Sequence, residues 1–442
     1  MKFCRLLIFG FFATCWAGIA LAEDLAAVTR PEHLGFSPQR LKRITEAYQG
    51  YVDRGALPGA VLLIARGDKL AYVEAIGYQD RETKTAMKKD AIFRLASMTK
   101  PIVSVAAMML VEEGKLDLIK PVAAYLPEFK EVKVGVEEID PVTGKPNLRL
   151  DTPRRAMTVQ DLMRHTSGLV YGQFGDRLVH LAYREAKVMD RGQSLAELVT
   201  KLAKLPLANH PGEVWEYSMS VDVLGRVIEV VSEMELDRFI AERITKPLGM
   251  TSTDFYVHEP DIARLAQAQP GADGKPPALP DVTQKPRWLS GGGGMVSSAA
   301  DYLRFSAMLL NDGEYGGVRL LSPHTVRLMT SNALPPGIAY TERARRLVSD
   351  TTPSPEMGQG FGLGFAVRIA PGHNPLPGSV GTYYWNGAWG TGFFVDPQEK
   401  LIAMQLIQMP FPEGAPYRRA FRNLTYSALT GAEVGAEAAV RR

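Results

Sequence analysis

Strand-like and helical runs are segregated along this chain, and their placement constrains the fold more than any other feature. Gly59-Ala60-Val61-Leu62-Leu63-Ile64-Ala65 and Leu70-Ala71-Tyr72-Val73-Glu74-Ala75-Ile76 are β-rich, and Arg66-Gly67-Asp68-Lys69 between them reads as a hairpin turn. Far along the chain, 382–385, 391–395 and 401–407 are again strand-like. The last two are joined by Asp396-Pro397-Gln398-Glu399-Lys400, so an antiparallel meander is expected. Residues from about 131 to 289 lack hairpin pairs and carry helical spacing, as at 195–205 and 221–231. Strands at both ends with a helical middle imply one domain made discontinuous by an insertion. The expected class is α+β: an antiparallel sheet flanked by helices, built from 23–130 and 290–442, with 131–289 as a mostly helical inserted domain.

Other elements fit this plan. Residues 37–52 carry Leu41, Ile44, Ala47 and Tyr48 at helical spacing, with Ser37-Pro38 as cap and first-turn proline. From 102 to 111 only Ser104 is polar, and a helix apolar all round is normally buried between layers. Residues 418–429 look helical, and Pro and Gly cluster between 269 and 286 in what reads as a long loop returning to the first part.

The N-terminus has Lys2 and Arg5, then a mostly apolar run, then Ala20-Leu21-Ala22 before Glu23-Asp24. This is the pattern of a cleavable signal peptide at 1–22, and it predicts an exported protein, periplasmic or secreted, with no membrane span left after cleavage. Both cysteines, Cys4 and Cys15, fall inside that leader. The remaining chain then has no disulfide, no cysteine nucleophile and no thiolate metal ligand. Apolar residues at 46% and charged residues at 22% exclude a disordered or collagen-like chain. A net charge of +3 gives no electrostatic case for nucleic acid as a partner.

Two common catalytic signatures are absent. There is no Gly-x-Ser-x-Gly elbow, Gly192-Gln193-Ser194 being the nearest start, and no His-Glu-x-x-His; the seven histidines are scattered without a ligand-like pair. No metal or cofactor is expected. What remains is Ser97-Met98-Thr99-Lys100, placed where a strand-like approach enters the apolar helix. Positions i and i+3 share a helix face, so the amine can reach the hydroxyl. Serine is a poor nucleophile until a neighbouring base takes its proton, and a buried lysine can be that base. Standing alone, the pair also fits a helix-capping serine followed by a surface lysine.

It does not stand alone. Pro58-Gly59-Ala60-Val61, Phe93-Arg94-Leu95-Ala96 before Ser97, Leu162-Met163-Arg164-His165-Thr166-Ser167-Gly168-Leu169, Tyr217-Ser218, Lys246-Pro247-Leu248-Gly249-Met250 and Gly292-Gly293-Gly294-Met295-Val296-Ser297-Ser298 follow in order through nearly all of the chain after the leader. Together they resemble the serine β-lactamase and penicillin-binding-protein superfamily, specifically the class C β-lactamase-like branch that includes the family VIII carboxylesterases. The resemblance implies the β-lactamase/transpeptidase-like fold. It implies Ser97 as the acylated nucleophile, Lys100 as its proton-transfer partner, and Tyr217 as the second-motif tyrosine, able to act as base alone or with Lys100. It also implies an oxyanion hole from the backbone N–H groups of Ser97 and Ala388.

Two departures from the family pattern bear on substrate. The third motif, normally Lys-Thr-Gly or His-x-Gly, falls on Trp385-Asn386-Gly387, so a cation near the carboxylate recognition region is replaced by an apolar wall. The second motif has Met219 where the family places an asparagine. Trp385, Asn386, Gly387 and Met219 are therefore the expected substrate-binding positions, and both departures are what family VIII esterases show. His165 reads as part of a folded loop and Gly291 to Gly294 as a tight turn, while Tyr383 and Trp389 fit either an acyl pocket or the sheet. The implied activity is hydrolysis of carboxylic esters with short to medium acyl groups. The alternatives are a class C-like β-lactamase or D-alanyl-D-alanine carboxypeptidase and a slowly deacylating penicillin-binding sensor. The expected partner is a small-molecule ester or lactam.

Overall fold

The computed structural model describes residues 25, 28–269, 279–341, 354–371, 374–410 and 413–431. The expected signal peptide, both cysteines and part of the Pro/Gly-rich stretch lie outside the described residues. Helix α1 (Pro38–Asp53) starts where its sequence says: Ser37 Oγ accepts the Arg40 N–H at 3.3 Å and Pro38 occupies the first turn. It buries Leu41, Ile44, Tyr48 and Val52. Strands β1 (Gly59–Arg66) and β2 (Lys69–Asp80) then form the expected hairpin, paired from Gly59↔Gly77 to Arg66↔Lys69. Gly67 has φ +62°, which a two-residue hairpin turn requires and glycine adopts without penalty.

The sheet is closed by the other end of the chain. Its eight antiparallel strands run in the order Gln359–Phe361, Ala366–Arg368, Tyr383–Asn386, Gly392–Asp396, Leu401–Leu406, β1, β2 and β3 (Thr85–Ala86). Strand β1 therefore lies between its sequence neighbour β2 and Leu401–Leu406, with Val61↔Leu406 to Arg66↔Leu401 in register. Both of those central strands are buried at every residue, which is why they read as continuous apolar runs and not as alternation. One face carries α1 and the C-terminal helix Ala415–Ser427, joined by edge contacts of Tyr48 with Phe421 and Tyr51 with Tyr417. The other carries helix Ala299–Leu310, whose Tyr302 ring meets Phe393 at 4.9 Å.

Strand β4 (Ile92–Arg94) pairs with Val296–Ser298 and feeds α2 (Thr99–Glu112), which is buried from Thr99 through Leu110. The middle of the chain departs from expectation at one place. Strands β5 (Val134–Ile139) and β6 (Pro146–Asp151) form an antiparallel hairpin, paired from Val134↔Asp151 to Ile139↔Pro146. The reading that 131–289 holds no hairpin is corrected. Most of this hairpin is exposed, so its strands need no apolar alternation, and charge pairs such as Arg149 with Glu138 at 3.0 Å replace it. Beyond it come α3 (Val159–Met163), α4 (Leu178–Glu185), α5 (Leu195–Leu202) and α6 (Ser220–Ser232), the last two on the expected helical stretches. Among the described residues, no helix is long and apolar enough to cross a membrane.

Candidate active site

The serine sits on a sharp connection. After β4 the chain makes one 3-10 turn, Ala96–Met98, and only then enters α2. Ala96 has φ +47°, a left-handed conformation that a β-carbon makes costly, by about 1 kcal/mol or more. The turn is held from three sides: Leu95 N–H donates to Met295 O at 2.9 Å, Met295 N–H to Thr99 Oγ1 at 3.1 Å, and the Tyr302 hydroxyl to Met98 O at 2.9 Å. Met98 N–H to Leu95 O is the first bonded turn, so the Ser97 N–H precedes it, as the opening donors of a helix do.

Ser97 is half-buried, and two of the expected residues converge on its oxygen. The Tyr217 hydroxyl donates to Ser97 Oγ at 2.7 Å, and Lys100 Nζ lies 3.3 Å from the same atom. Lys100 is 1% exposed. Its amine also donates to Gly292 O at 2.6 Å and to the Tyr171 hydroxyl at 3.2 Å, so all three ammonium donors have acceptors. It stands 4.6 Å from the centre of the Tyr217 ring, close enough for a cation–π attraction. The bland alternative of a surface lysine is thereby excluded.

The third motif reaches this turn through its backbone. A β-carbon on Gly387 would overlap the Leu95 carbonyl oxygen and Thr391 Oγ1, and Thr391 Oγ1 itself donates to Leu95 O at 3.0 Å. Glycine is what allows the strand end to lie against the residues leading into Ser97. Ala388 follows as an exposed residue. Trp385 faces the site, its ring 5.4 Å from Tyr217 and 5.3 Å from Phe361, but it is only 3% exposed and so backs Tyr217 more than it lines an opening.

Two substrate-binding expectations need correction. Asn386 follows Trp385 on one strand, so its side chain points to the opposite face, where Asn386 and Tyr384 line a small cavity with Arg418, Phe421 and Arg422 beneath the C-terminal helix. Met219 has no accessible surface; it precedes the first turn of α6 and packs in the core, where it can touch no ligand in this arrangement. Of the two undecided aromatics, Tyr383 is a sheet residue, 2% exposed and packed edge-on to Phe365, while Trp389 is half-buried.

Sequence reasoning missed two residues. Tyr171 is buried beside Lys100, and burial, with Tyr217 and Asp222 nearby, raises its pKa well above the usual phenol value, keeping it protonated. Asp222, in the first turn of α6, is buried too, which raises its pKa against the hydrogen bonds that Oδ1 accepts from Ser290 Oγ at 2.6 Å and Gly292 N–H at 3.2 Å. The aspartate thus braces the loop whose Gly292 carbonyl holds Lys100. Nothing at sequence level marked either residue, since both act through tertiary proximity and belong to no short motif. Among the described residues, no three His, Cys, Asp or Glu side chains are grouped so as to hold a metal ion.

The comparisons agree with this geometry. The family model described as Beta-lactamase matches residues 44–427. Protein Rv1367c of Mycobacterium tuberculosis is 40% identical over 364 residues, covering 80% of this chain and 87% of that one. Esterase EstB of Burkholderia gladioli is 32% identical over 413 residues, 87% of this chain and 95% of its own. Among solved structures, EstCE1, described as a hydrolase with promiscuous acyltransferase activity, superposes with a TM-score of 0.71 at 28% identity, over 88% of this chain and 99% of its own. With a match of that extent and a serine–lysine–tyrosine cluster on the matching fold, the chain belongs to the beta-lactamase family, as a serine hydrolase of its esterase-like branch.

Proposed function

We propose that the protein is an exported carboxylesterase that hydrolyses esters of short to medium acyl groups through an acyl-enzyme on Ser97. The carrying observation is the convergence on one oxygen, with the Tyr217 hydroxyl at 2.7 Å and Lys100 Nζ at 3.3 Å from Ser97 Oγ. With a single proton shared between the Tyr217 oxygen and the Lys100 amine, the pair can accept another: as Ser97 Oγ attacks the ester carbonyl its proton passes into the pair, which then gives it to the leaving alkoxide oxygen so that the alcohol departs neutral. The carbonyl oxygen takes up negative charge facing the N–H groups of Ser97 and Ala388, donors that do not depend on side-chain identity. Water then attacks the acyl-enzyme carbonyl, giving its proton to the same pair; as the bond to Ser97 Oγ breaks, the pair returns that proton to Oγ, releasing the carboxylic acid and restoring the starting state.

Several features support an ester over a lactam. The third motif offers Trp385 where a β-lactamase or peptidase has a cation, and the position that would hold an amide-binding asparagine is the buried Met219. Phe174, Trp215 and Trp385 pack on Tyr217, and Phe174, the one of the three that is not buried, leaves an apolar surface beside the tyrosine that suits an uncharged acyl group. The printed names of EstB and EstCE1, an esterase and a hydrolase, point the same way. Export is supported by the leader at 1–22, and the division into 23–130, 131–289 and 290–442 by a sheet whose strands come from both ends of the chain.

The test is side-by-side turnover of p-nitrophenyl butyrate and a chromogenic cephalosporin, with Ser97→Ala as control. Fast ester cleavage that Ser97→Ala abolishes, with little lactam turnover, is the expected result. Faster cephalosporin cleavage would put the β-lactamase reading first, and an adduct persisting for hours in intact-mass spectra would favour the sensor.

A further inference from the structure

We infer that His165 is a positioning residue that clamps the Tyr217 segment and so fixes where the Tyr217 hydroxyl meets Ser97 Oγ; the inference rests on the catalytic role proposed for Tyr217. Contacts from this one residue reach three consecutive partners. The His165 carbonyl accepts the Glu216 N–H at 3.0 Å. Its ring packs on Tyr217, with centroids 4.8 Å apart and planes tilted by 59°. Its Nδ1 lies 3.3 Å from Ser218 Oγ. Residues 216, 217 and 218 are thus gripped through backbone, ring and hydroxyl in turn.

The grip is rigid at both ends. The imidazole is 1% exposed and is met edge-on by Phe361 at 5.5 Å and Trp215 at 6.2 Å. Ser218 Oγ continues into a buried chain of hydroxyls, 2.7 Å to Ser220 Oγ and from there 2.7 Å to Ser167 Oγ, which ties the clamp to the first turn of α6. The backbone of His165 is left-handed, at φ +58°, a conformation costly for a residue with a β-carbon and retained only where the surroundings over-determine it.

Core packing alone does not account for an imidazole here. Nε2 has no partner among the described residues, and a buried unpaired nitrogen is unfavourable. A phenyl ring would fill the same space without it but would lose the contact with Ser218. Burial, with the positive charge of Lys100 nearby, holds the imidazole pKa well below its usual value, so the clamp is neutral and adds no second cation beside the amine. A hydroxyl that must stay within hydrogen-bond reach of its nucleophile is sensitive to such support, because a displacement of about 1 Å can cost roughly 100-fold in rate.

A double-mutant cycle in ester hydrolysis tests this, using His165→Asn, Tyr217→Phe and both together in the full enzyme, with melting temperature confirming that each is folded. Asparagine tolerates the left-handed backbone and keeps a hydrogen-bonding amide. His165→Asn is expected to lower kcat by roughly 10- to 100-fold with KM changed by less than about threefold. In the Tyr217→Phe background it is expected to cost no more than about twofold, since the group it positions is gone. An equal loss in both backgrounds, or an unchanged kcat in the single variant, overturns the clamp. If Tyr217→Phe itself leaves kcat unchanged, the catalytic role of Tyr217 fails and the clamp falls with it, an outcome distinct from failure of the clamp alone. Should His165→Asn not fold, Ser218→Ala keeps the ring contact and is expected to lose about 3- to 10-fold in kcat, again only when Tyr217 is present.

Discussion

At the scale of single residues, the amine of Lys100 shows how the site is balanced. Its three acceptors are Ser97 Oγ, a backbone carbonyl and the Tyr171 hydroxyl, and in the proposed reaction only the first changes during turnover. Tyr171→Phe removes one acceptor from a buried cation, an interaction worth about 1.5–3 kcal/mol when one partner is charged. A fall in kcat/KM of roughly 10- to 100-fold is expected, read from steady-state ester hydrolysis, and an unchanged value would mean the hydroxyl only fills space. Gly387→Ala tests the oxyanion side. Its β-carbon would strike the Leu95 carbonyl, part of the backbone and unable to rotate away, so the third motif must move off the Ser97 turn. Loss of one oxyanion donor costs about 100- to 1,000-fold in kcat; the variant should retain its fold by circular dichroism while losing turnover on that order. That Ser97, Lys100 and Tyr217 would meet was legible in the sequence because they sit in short motifs of fixed spacing. Asn386 and Met219 were misread because motif position says nothing about which strand face a side chain takes or how deeply it is buried.

At the scale of elements, the short helix α3 sets the approach to the site. Thr158 and Asp161 form a capping box, and Asp161, with no exposed surface, also accepts from Arg155, Arg164 and the Thr166 hydroxyl. That network fixes the residues on either side of His165. Burial alone would raise the Asp161 pKa, but the hydrogen bonds from Arg155, Thr158, Arg164 and Thr166 outweigh it and hold the carboxyl at about 2. The folded value lies below the unfolded one of about 3.9, so the group stabilises the fold fully above about pH 4, and that stability is lost as pH falls through the folded value. The contribution is about 2–3 kcal/mol. Asp161→Asn should lose about 3 kcal/mol or more near neutral pH, because two arginines lose their buried partner. It should also show a flatter dependence of stability between pH 4 and pH 2 than the wild type in urea titrations; identical slopes would remove Asp161 from the acid transition. Elements with a strong internal signal were readable in advance: α1 from its cap and proline, α2 from an apolar run broken only by Ser104, β1 and β2 from the Arg66-Gly67-Asp68-Lys69 turn signal between two β-rich runs. The β5–β6 hairpin was not, because an exposed hairpin stabilised by charge pairs leaves no apolar pattern to read.

At the scale of the whole molecule, the sheet makes the two ends of the chain depend on each other. Strand β1 is flanked by β2 from its own end and by Leu401–Leu406 from the other, and α1 packs on the C-terminal helix across them. The middle of the chain is not isolated from this arrangement. A single buried cluster joins sheet residues such as Val61 and Met404 to α2 residues such as Val105 and to Val221 and Leu224 of α6. An insertion in the order of the chain is thus not a separate body in its packing, and α2, carrying Lys100, is the shared layer. The protein should therefore unfold as one unit. In calorimetry the transition should be single, and ester hydrolysis should be lost at the same temperature as the sheet signal in circular dichroism. Two resolved transitions, with activity following the lower one, would show that the 131–289 region melts away from an intact sheet. Expressed alone, 131–289 should show no cooperative transition, since the faces of α6 that meet α2 would be exposed to water. A sharp melting transition in that fragment would instead make the insertion an independent domain, with the active site lying on a seam between two separately stable parts.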